Sequence, residues 1–150
     1  MIKLSVVVEI KASPETVLAE LLDVEHWPEW TTTMTKIALL DPRPLAVGKK
    51  ALVRQPKLRP AIWEVTELDE SNFTWVTRSA GLCVEAGHEV KGIVDGSQVE
   101  FSLLYSGWLA PIAGWLYRNL SRRYLRIESE GLRRRLEGST CSPPSGRMAG

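Results

Sequence analysis

Residues 2–11 alternate apolar and polar side chains. Ile2, Leu4, Val6, Val8 and Ile10 fall on one face, with Lys3, Ser5, Glu9 and Lys11 largely on the other. A period of two with one apolar face predicts a half-buried β-strand. Ser13-Pro14-Glu15 then signals a helix start: a capping hydroxyl, a proline where its missing N–H costs nothing, and an acid in the first turn. Val17, Leu18, Leu21 and Leu22 carry that helix, and a second short helical turn is expected to hold His26, Trp27 and Trp30.

From about residue 34 to 105, short strand-like runs are separated by turn chemistry. Asp41-Pro42-Arg43-Pro44 and Gly48 break the chain early, and Pro56 and Pro60 end a strand over 49–55. Further strands are expected over 61–68, 72–78 and 82–93, divided by Asp69-Glu70-Ser71-Asn72 and by Ala80-Gly81. Asp95-Gly96 is a hairpin signal leading into 97–105. Connections this short imply an antiparallel meander and not parallel crossovers. After Gly107 the period lengthens. Leu109, Ile112, Ala113, Leu116, Leu120, Tyr124, Ile127 and Gly131 recur every three or four residues, as one face of a helix about 30 residues long. Past Gly138 no apolar period remains, so 1–138 reads as one domain and 139–150 as a disordered C-terminal tail.

The order predicts an α+β fold: a curved antiparallel sheet of about six to seven strands wrapped around a long C-terminal helix, with two short helices after the first strand. The long helix is the only element large enough to cover the apolar sheet face. A strongly curved sheet cannot close fully on one helix, and the gap becomes a cavity.

Composition narrows the function classes. A chain of 150 residues suits one domain. With 44% hydrophobic residues, 25% charged and a net charge of +1, it lacks the basic excess of a nucleic-acid binder. Six tryptophans stand against three tyrosines and two phenylalanines, which suits a bulky core or a pocket for a sizeable apolar ligand. Cys83 and Cys141 make no disulfide framework, so a reducing compartment is expected. The N-terminus has neither a long apolar run nor a small-residue cleavage site. The apolar stretch Leu103–Tyr117 is too short to span a bilayer and is interrupted by Ser106, Gly107 and Pro111. A cytoplasmic protein is expected.

Several local strings then become informative by their order and spacing: Ser13-Pro14-Glu15-Thr16-Val17, His26-Trp27-Pro28-Glu29-Trp30, Val47-Gly48, Trp63-Glu64-Val65-Thr66-Glu67-Leu68, Phe73-Thr74-Trp75, Gly87-His88-Glu89-Val90 and Ser106-Gly107-Trp108-Leu109-Ala110-Pro111. Together, over roughly residues 2 to 137, the chain resembles the SRPBCC superfamily of START-like or Bet v 1-like helix-grip proteins. Within it, the resemblance is to the bacterial polyketide cyclase/dehydrase and lipid-transport branch. It implies a central hydrophobic cavity between sheet and long helix. It fixes no activity, because members include transporters, hormone receptors and cyclases, and function lies in the cavity lining.

His88 is the first candidate for chemistry. It shares a strand face with Val84, Ala86 and Val90, opposite Glu85, Glu89 and Lys91, so it projects inward if the apolar face does. There it could act as a general base or orient a ligand carbonyl. It could equally be a core histidine satisfied by a neighbouring hydroxyl or carbonyl, since no acid shares its strand face. The same parity turns Trp63, Trp75, Phe101 and Tyr105 inward, and Tyr124 follows on the helix stripe. With Trp30 and His88 they form the candidate ligand-binding set, although each could be core filler. Two histidines and two cysteines have no metal-ligand spacing, and no Gly-rich phosphate loop is present, so neither metal nor cofactor is expected.

On the surface, Arg118, Arg122 and Arg126 stack along the long helix and Arg133-Arg134-Arg135 extends them, partly offset by Glu128, Glu130 and Glu137. Arg126 with Glu130, or Glu130 with Arg134, has helical pair spacing. Beside them, Trp108, Leu109, Ile112, Trp115 and Tyr117 could join the arginines in contacting an anionic membrane. Three functions follow. The first is carriage of a hydrophobic small molecule such as a lipid, isoprenoid or polyketide-like compound. The second is a cyclase- or dehydratase-type enzyme using His88 or a cavity tyrosine, for which no acid–base pair is evident. The third is a regulatory or interaction module, which could be a homodimer.

Overall fold

The computed structural model describes residues 1–140. Its strands are β1 (Ile2–Ile10), β2 (Lys36–Leu39), β3 (Lys50–Arg54), β4 (Ala61–Leu68), β5 (Asn72–Ser79), β6 (Leu82–Ile93) and β7 (Gly96–Ser106). They form one open antiparallel sheet in the order β1-β7-β6-β5-β4-β3-β2. Chain order and sheet order agree except that β1 crosses to pair with β7, Val6 opposite Phe101. Helix α1 (Pro14–Leu22) and a 3-10 helix (Val24–Glu29) follow β1, and α2 (Ala110–Thr140) closes the fold. A register shift between Val65 and Glu67 of β4 adds local bend to the sheet.

The period-two faces are as expected. In β1, Leu4, Val8 and Ile10 are buried while Lys3, Ser5 and Glu9 are exposed. Ser13 caps α1, its hydroxyl accepting from the Thr16 N–H at 3.2 Å, and Val17 and Leu21 are fully buried. The hairpin between β6 and β7 turns one residue earlier than Asp95-Gly96 suggests. Ile93 pairs with Gly96, so Val94 and Asp95 make the turn and Asp95 takes the left-handed conformation. Gly96 serves close packing instead, since a Cβ there would stand 2.3 Å from the Ile10 carbonyl oxygen.

The phase of the long helix differs from the expected stripe. Ile112 and Leu116 are exposed, and Ala110, Ala113, Ser121, Leu125, Glu128, Leu132 and Leu136 face inward. Small residues, more than bulky ones, lie where the first half of α2 meets the sheet. The expected pairs of Glu130 with Arg126 or Arg134 do not form; Glu130 lies 3.6 Å from Arg133. Glu128 is no counterweight to the surface arginines, because it is buried. The helix continues to Thr140, past Gly138. The rest of the expected tail, with Cys141, lies outside the described residues.

Candidate ligand cavity

Between the concave sheet face and α2 lies a cavity of about 620 Å³. Its inner end is formed by Trp27, Met34, His88 and Glu128, all buried. Its mouth is marked by exposed lining residues: Arg59 and Pro60 before β4, Arg78 and Ser79 at the end of β5, and Tyr117 of α2. Across that mouth the Tyr124 hydroxyl donates to the Pro56 carbonyl, tying α2 to the loop before β4. Midway, Tyr105 of β7 and Ser121 of α2 share a hydrogen bond of 2.6 Å.

Trp27 organises the inner end. Its indole N–H donates to the Leu21 carbonyl at 3.0 Å, fixing the ring against Trp30, Trp75 and His88 at centroid distances of 5.2, 5.6 and 5.3 Å. His88 stacks on Phe73 and meets Phe101 edge-on. Its Nδ1 donates to the Phe73 carbonyl at 2.8 Å, so Nε2 carries the lone pair. Burial among aromatic rings pushes its pKa down to about 4, the Phe73 bond opposing only in part. His88 is therefore a neutral imidazole at physiological pH.

Glu128 faces the same cavity from α2. Gly131 makes this possible, since a Cβ there would stand 2.0 Å from the Trp30 carbonyl oxygen. Without a side chain, the helix passes close beneath the segment that follows the 3-10 helix, and Thr33 of that segment donates to Glu128 Oε2 at 2.8 Å. Thr31 supports Thr33 through a 2.9 Å hydroxyl contact. Burial raises the Glu128 pKa to about 7, the Thr33 bond opposing. No hydrogen bond joins Glu128 to His88, and neither is among the causes of the other's shift. The inner end of the cavity thus holds a histidine on the sheet wall and a glutamate on the helix wall, displaced in opposite directions.

Of the residues expected from the sequence, Trp63, Trp75, His88, Tyr105 and Tyr124 line this cavity, and Trp30 and Phe101 do not. Trp30 packs between Trp27 and Gly131, while Phe101, the cross-strand partner of His88, is fully buried beside it. Trp27 takes the place expected for Trp30; within one 3-10 turn no alternation rule tells the two apart. Glu128, expected among the surface charges and not on the inward stripe, is the lining residue that the sequence reading missed, although it lies four residues after Tyr124 and three before Gly131. Among the described residues no three His, Cys, Asp or Glu side chains converge as a metal ion would require. Among them, too, no helix is long and apolar enough to cross a membrane.

Known proteins share this architecture. A START superfamily protein from Mycobacterium smegmatis superposes with a TM-score of 0.75 at 17% identity, covering 91% of this chain and 98% of that one. The protein TTHA0849 from Thermus thermophilus gives 0.72 at 16% identity, covering 93% and 99%. The di-domain ARO/CYC protein BexL of the BE-7585A biosynthetic pathway gives 0.74 at 13% identity, covering 95% of this chain and 48% of that one. At such low identity these likenesses establish the helix-grip fold alone. No curated protein matches the sequence. The family described as polyketide cyclase / dehydrase and lipid transport matches residues 1–137, and the chain, with its curved sheet gripping α2 around an aromatic cavity, belongs to that family.

Proposed function

We propose that this protein binds and carries a hydrophobic small molecule, such as a lipid, isoprenoid or polyketide-like compound, in the cavity between the sheet and α2. The observation that carries this reading is the cavity itself. Protein interiors are packed to crystal-like density, with few voids larger than a water molecule. About 620 Å³ walled by Trp27, Trp63 and Trp75 falls in the range of sites for drug-sized ligands. A loading route beside the mouth is supported by the exposed side chains there. Trp108 and Trp115 are 77% and 78% exposed, with Ile112 and Leu116 also exposed. The exposed arginines 118, 122, 123 and 126 follow on the same helix. Apolar side chains flanked by cations suit an anionic lipid surface, and Tyr117 belongs to both this patch and the cavity mouth.

Organic extraction of the purified protein followed by mass spectrometry tests the reading. A stoichiometric apolar compound is expected; a clean extract, together with failure to bind any added apolar probe, contradicts it. The loading route predicts flotation with anionic vesicles that weakens as salt rises. A mass that doubles with concentration, with no vesicle binding, would assign the patch to a homodimer.

A second reading is favoured by the presence of both His88 and Glu128 in the cavity lining. Two groups in one cavity with oppositely displaced pKa values are the arrangement needed for acid–base work near neutral pH. A cyclase or dehydratase would use the His88 imidazole as base and the Glu128 carboxyl as acid. Turnover of a polyketide-like chain should then disappear in both Glu128→Gln and His88→Gln. Undiminished turnover in either variant removes this mechanism.

A further inference from the structure

Carrying a plain hydrocarbon requires neither Glu128 nor His88, and each costs free energy to bury that leucine or phenylalanine would not. Both are more than nine-tenths buried, and each keeps one polar atom without a hydrogen bond among the described residues. His88 Nδ1 is taken by the Phe73 carbonyl, leaving Nε2 as an acceptor. Glu128 Oε2 is taken by Thr33, leaving Oε1. Of the other hydroxyls of the cavity wall, those of Tyr105 and Ser121 bond each other and that of Tyr124 donates to the Pro56 carbonyl. No lysine or arginine among the described residues reaches the inner end; Arg59 and Arg78 line the cavity as exposed residues at its mouth.

These atoms discriminate among ligand groups. A ligand carboxylate pushed to the inner end would lose its water, find no cation and face a second carboxyl group. A ketone or ether could accept from Glu128 but would leave the His88 lone pair unmatched. A hydroxyl group accepts and donates at once, so it satisfies both walls. Resting on the carrier reading, we propose that the ligand is a neutral alcohol or phenol, its hydroxyl seated between Glu128 and His88 and its hydrocarbon body extending toward the mouth. Below pH 7 the Glu128 carboxyl is protonated, and its proton belongs on Oε1, the oxygen that no protein donor touches. A ligand that also carries an acid would leave that end at the mouth, beside Arg59 and Arg78.

Three matched probes test this: fluorene, 2-hydroxyfluorene and fluorene-2-carboxylate, titrated into the intact protein at pH 6 with calorimetry as readout. The hydroxy compound is expected to bind about tenfold tighter than fluorene, the scale of one or two net hydrogen bonds, and the carboxylate most weakly. In Glu128→Leu and His88→Leu the tenfold preference should vanish while fluorene still binds. Glu128→Gln keeps an N–H donor and should keep most of the preference, which leaves a decisive variant if the leucine substitutions fail to fold. Saturable binding of all three probes with no preference for the hydroxyl overturns the subsite and leaves the carrier reading standing. A preference for the carboxylate also overturns it. Absence of saturable binding by any probe overturns both.

Discussion

In the first half of α2, Trp115 is 78% exposed and Ile112 and Leu116 are exposed beside it; in the second half, Glu128 is only 7% exposed. The same helix turns its large apolar side chains to solvent at one end and hides a carboxylic acid at the other. Local packing shows how both are accommodated. Ala110, Ala113 and Gly114 meet the sheet in the first half, Gly114 against Ile2, so only small residues fit inward and bulky ones point out. In the second half Gly131 draws the helix under Trp30, and Glu128 is carried inward to Thr33. Neither arrangement is what stability alone would select. The outer half suits contact with a partner surface, and the inner half suits contact with a ligand.

The contrast can be broken most severely at Gly131. In Gly131→Ala the new methyl group would meet the backbone oxygen of Trp30, which cannot move aside as a side chain could. A loss of more than about 3 kcal/mol is expected in urea unfolding. Wild-type stability would mean that α2 can stand off, and that Glu128 is not held at the inner end.

Glu128→Gln is next in size and carries a sign. The folded pKa of Glu128 is raised from 4.5 to about 7, so its favourable protonated state is fully present below about pH 4.5 and is lost as pH rises through 7. The variant should therefore exceed wild type by about 3 kcal/mol at pH 8 and match it near pH 4. His88 acts in the opposite sense. Its folded pKa is depressed from 6.5 to about 4, so its contribution is present above 6.5 and lost as pH falls toward 4. In wild type the two slopes oppose each other between about 4.5 and 6.5. With Glu128 replaced, unfolding measured across that interval should show stability falling steadily toward acid. A flat profile in the variant would contradict the burial of His88 as the cause of its shift.

Smaller effects are expected where the two halves meet and beyond. Tyr124→Phe removes the bond to the Pro56 carbonyl and should cost about 1 kcal/mol, while speeding ligand exchange in stopped-flow experiments by loosening the mouth. Trp115→Ser should change stability by no more than about 0.5 kcal/mol, because the side chain is exposed. Its effect belongs to vesicle flotation, which should weaken clearly. Unchanged flotation would take the outer half of α2 out of the loading route.

Much of this architecture is legible from alternation alone. The inward faces of β4, β6 and β7 follow from period two, so Trp63, His88 and Tyr105 turn inward on parity alone; Trp75 shares the parity of Phe73, although Thr74 and Val76 of β5 are buried as well. Other features are hidden for physical reasons. The phase of α2 departs from its apolar stripe because alanine and glycine, not bulky residues, mark the buried face of the first half. Trp27 and Trp30 belong to one short helical turn, where only the hydrogen bond to Leu21 and the approach of Gly131 decide which ring reaches the cavity. Phe101 has the expected parity but is packed edge-on against His88 with no exposed surface, and parity does not encode which inward residues are left uncovered. The charge of Glu128 points to the surface when the helix is read by itself. Its partner Thr33 is 95 residues away in the chain, a pairing that no local pattern announces.

The carrier reading is tested most directly by titrating an environment-sensitive apolar fluorophore into wild type and into Ala86→Trp. Ala86 is a small buried residue of the cavity wall on β6, and an indole there would occupy the space assigned to the ligand. Wild type should saturate with one probe per chain, quenching tryptophan fluorescence as the probe settles beside Trp63 and Trp75. Ala86→Trp, shown to be folded by its circular dichroism, should bind at least about tenfold more weakly, the effect of removing the site's apolar contacts. Equal affinity in the two proteins, or no saturable binding in wild type, would contradict a ligand held between the sheet and α2.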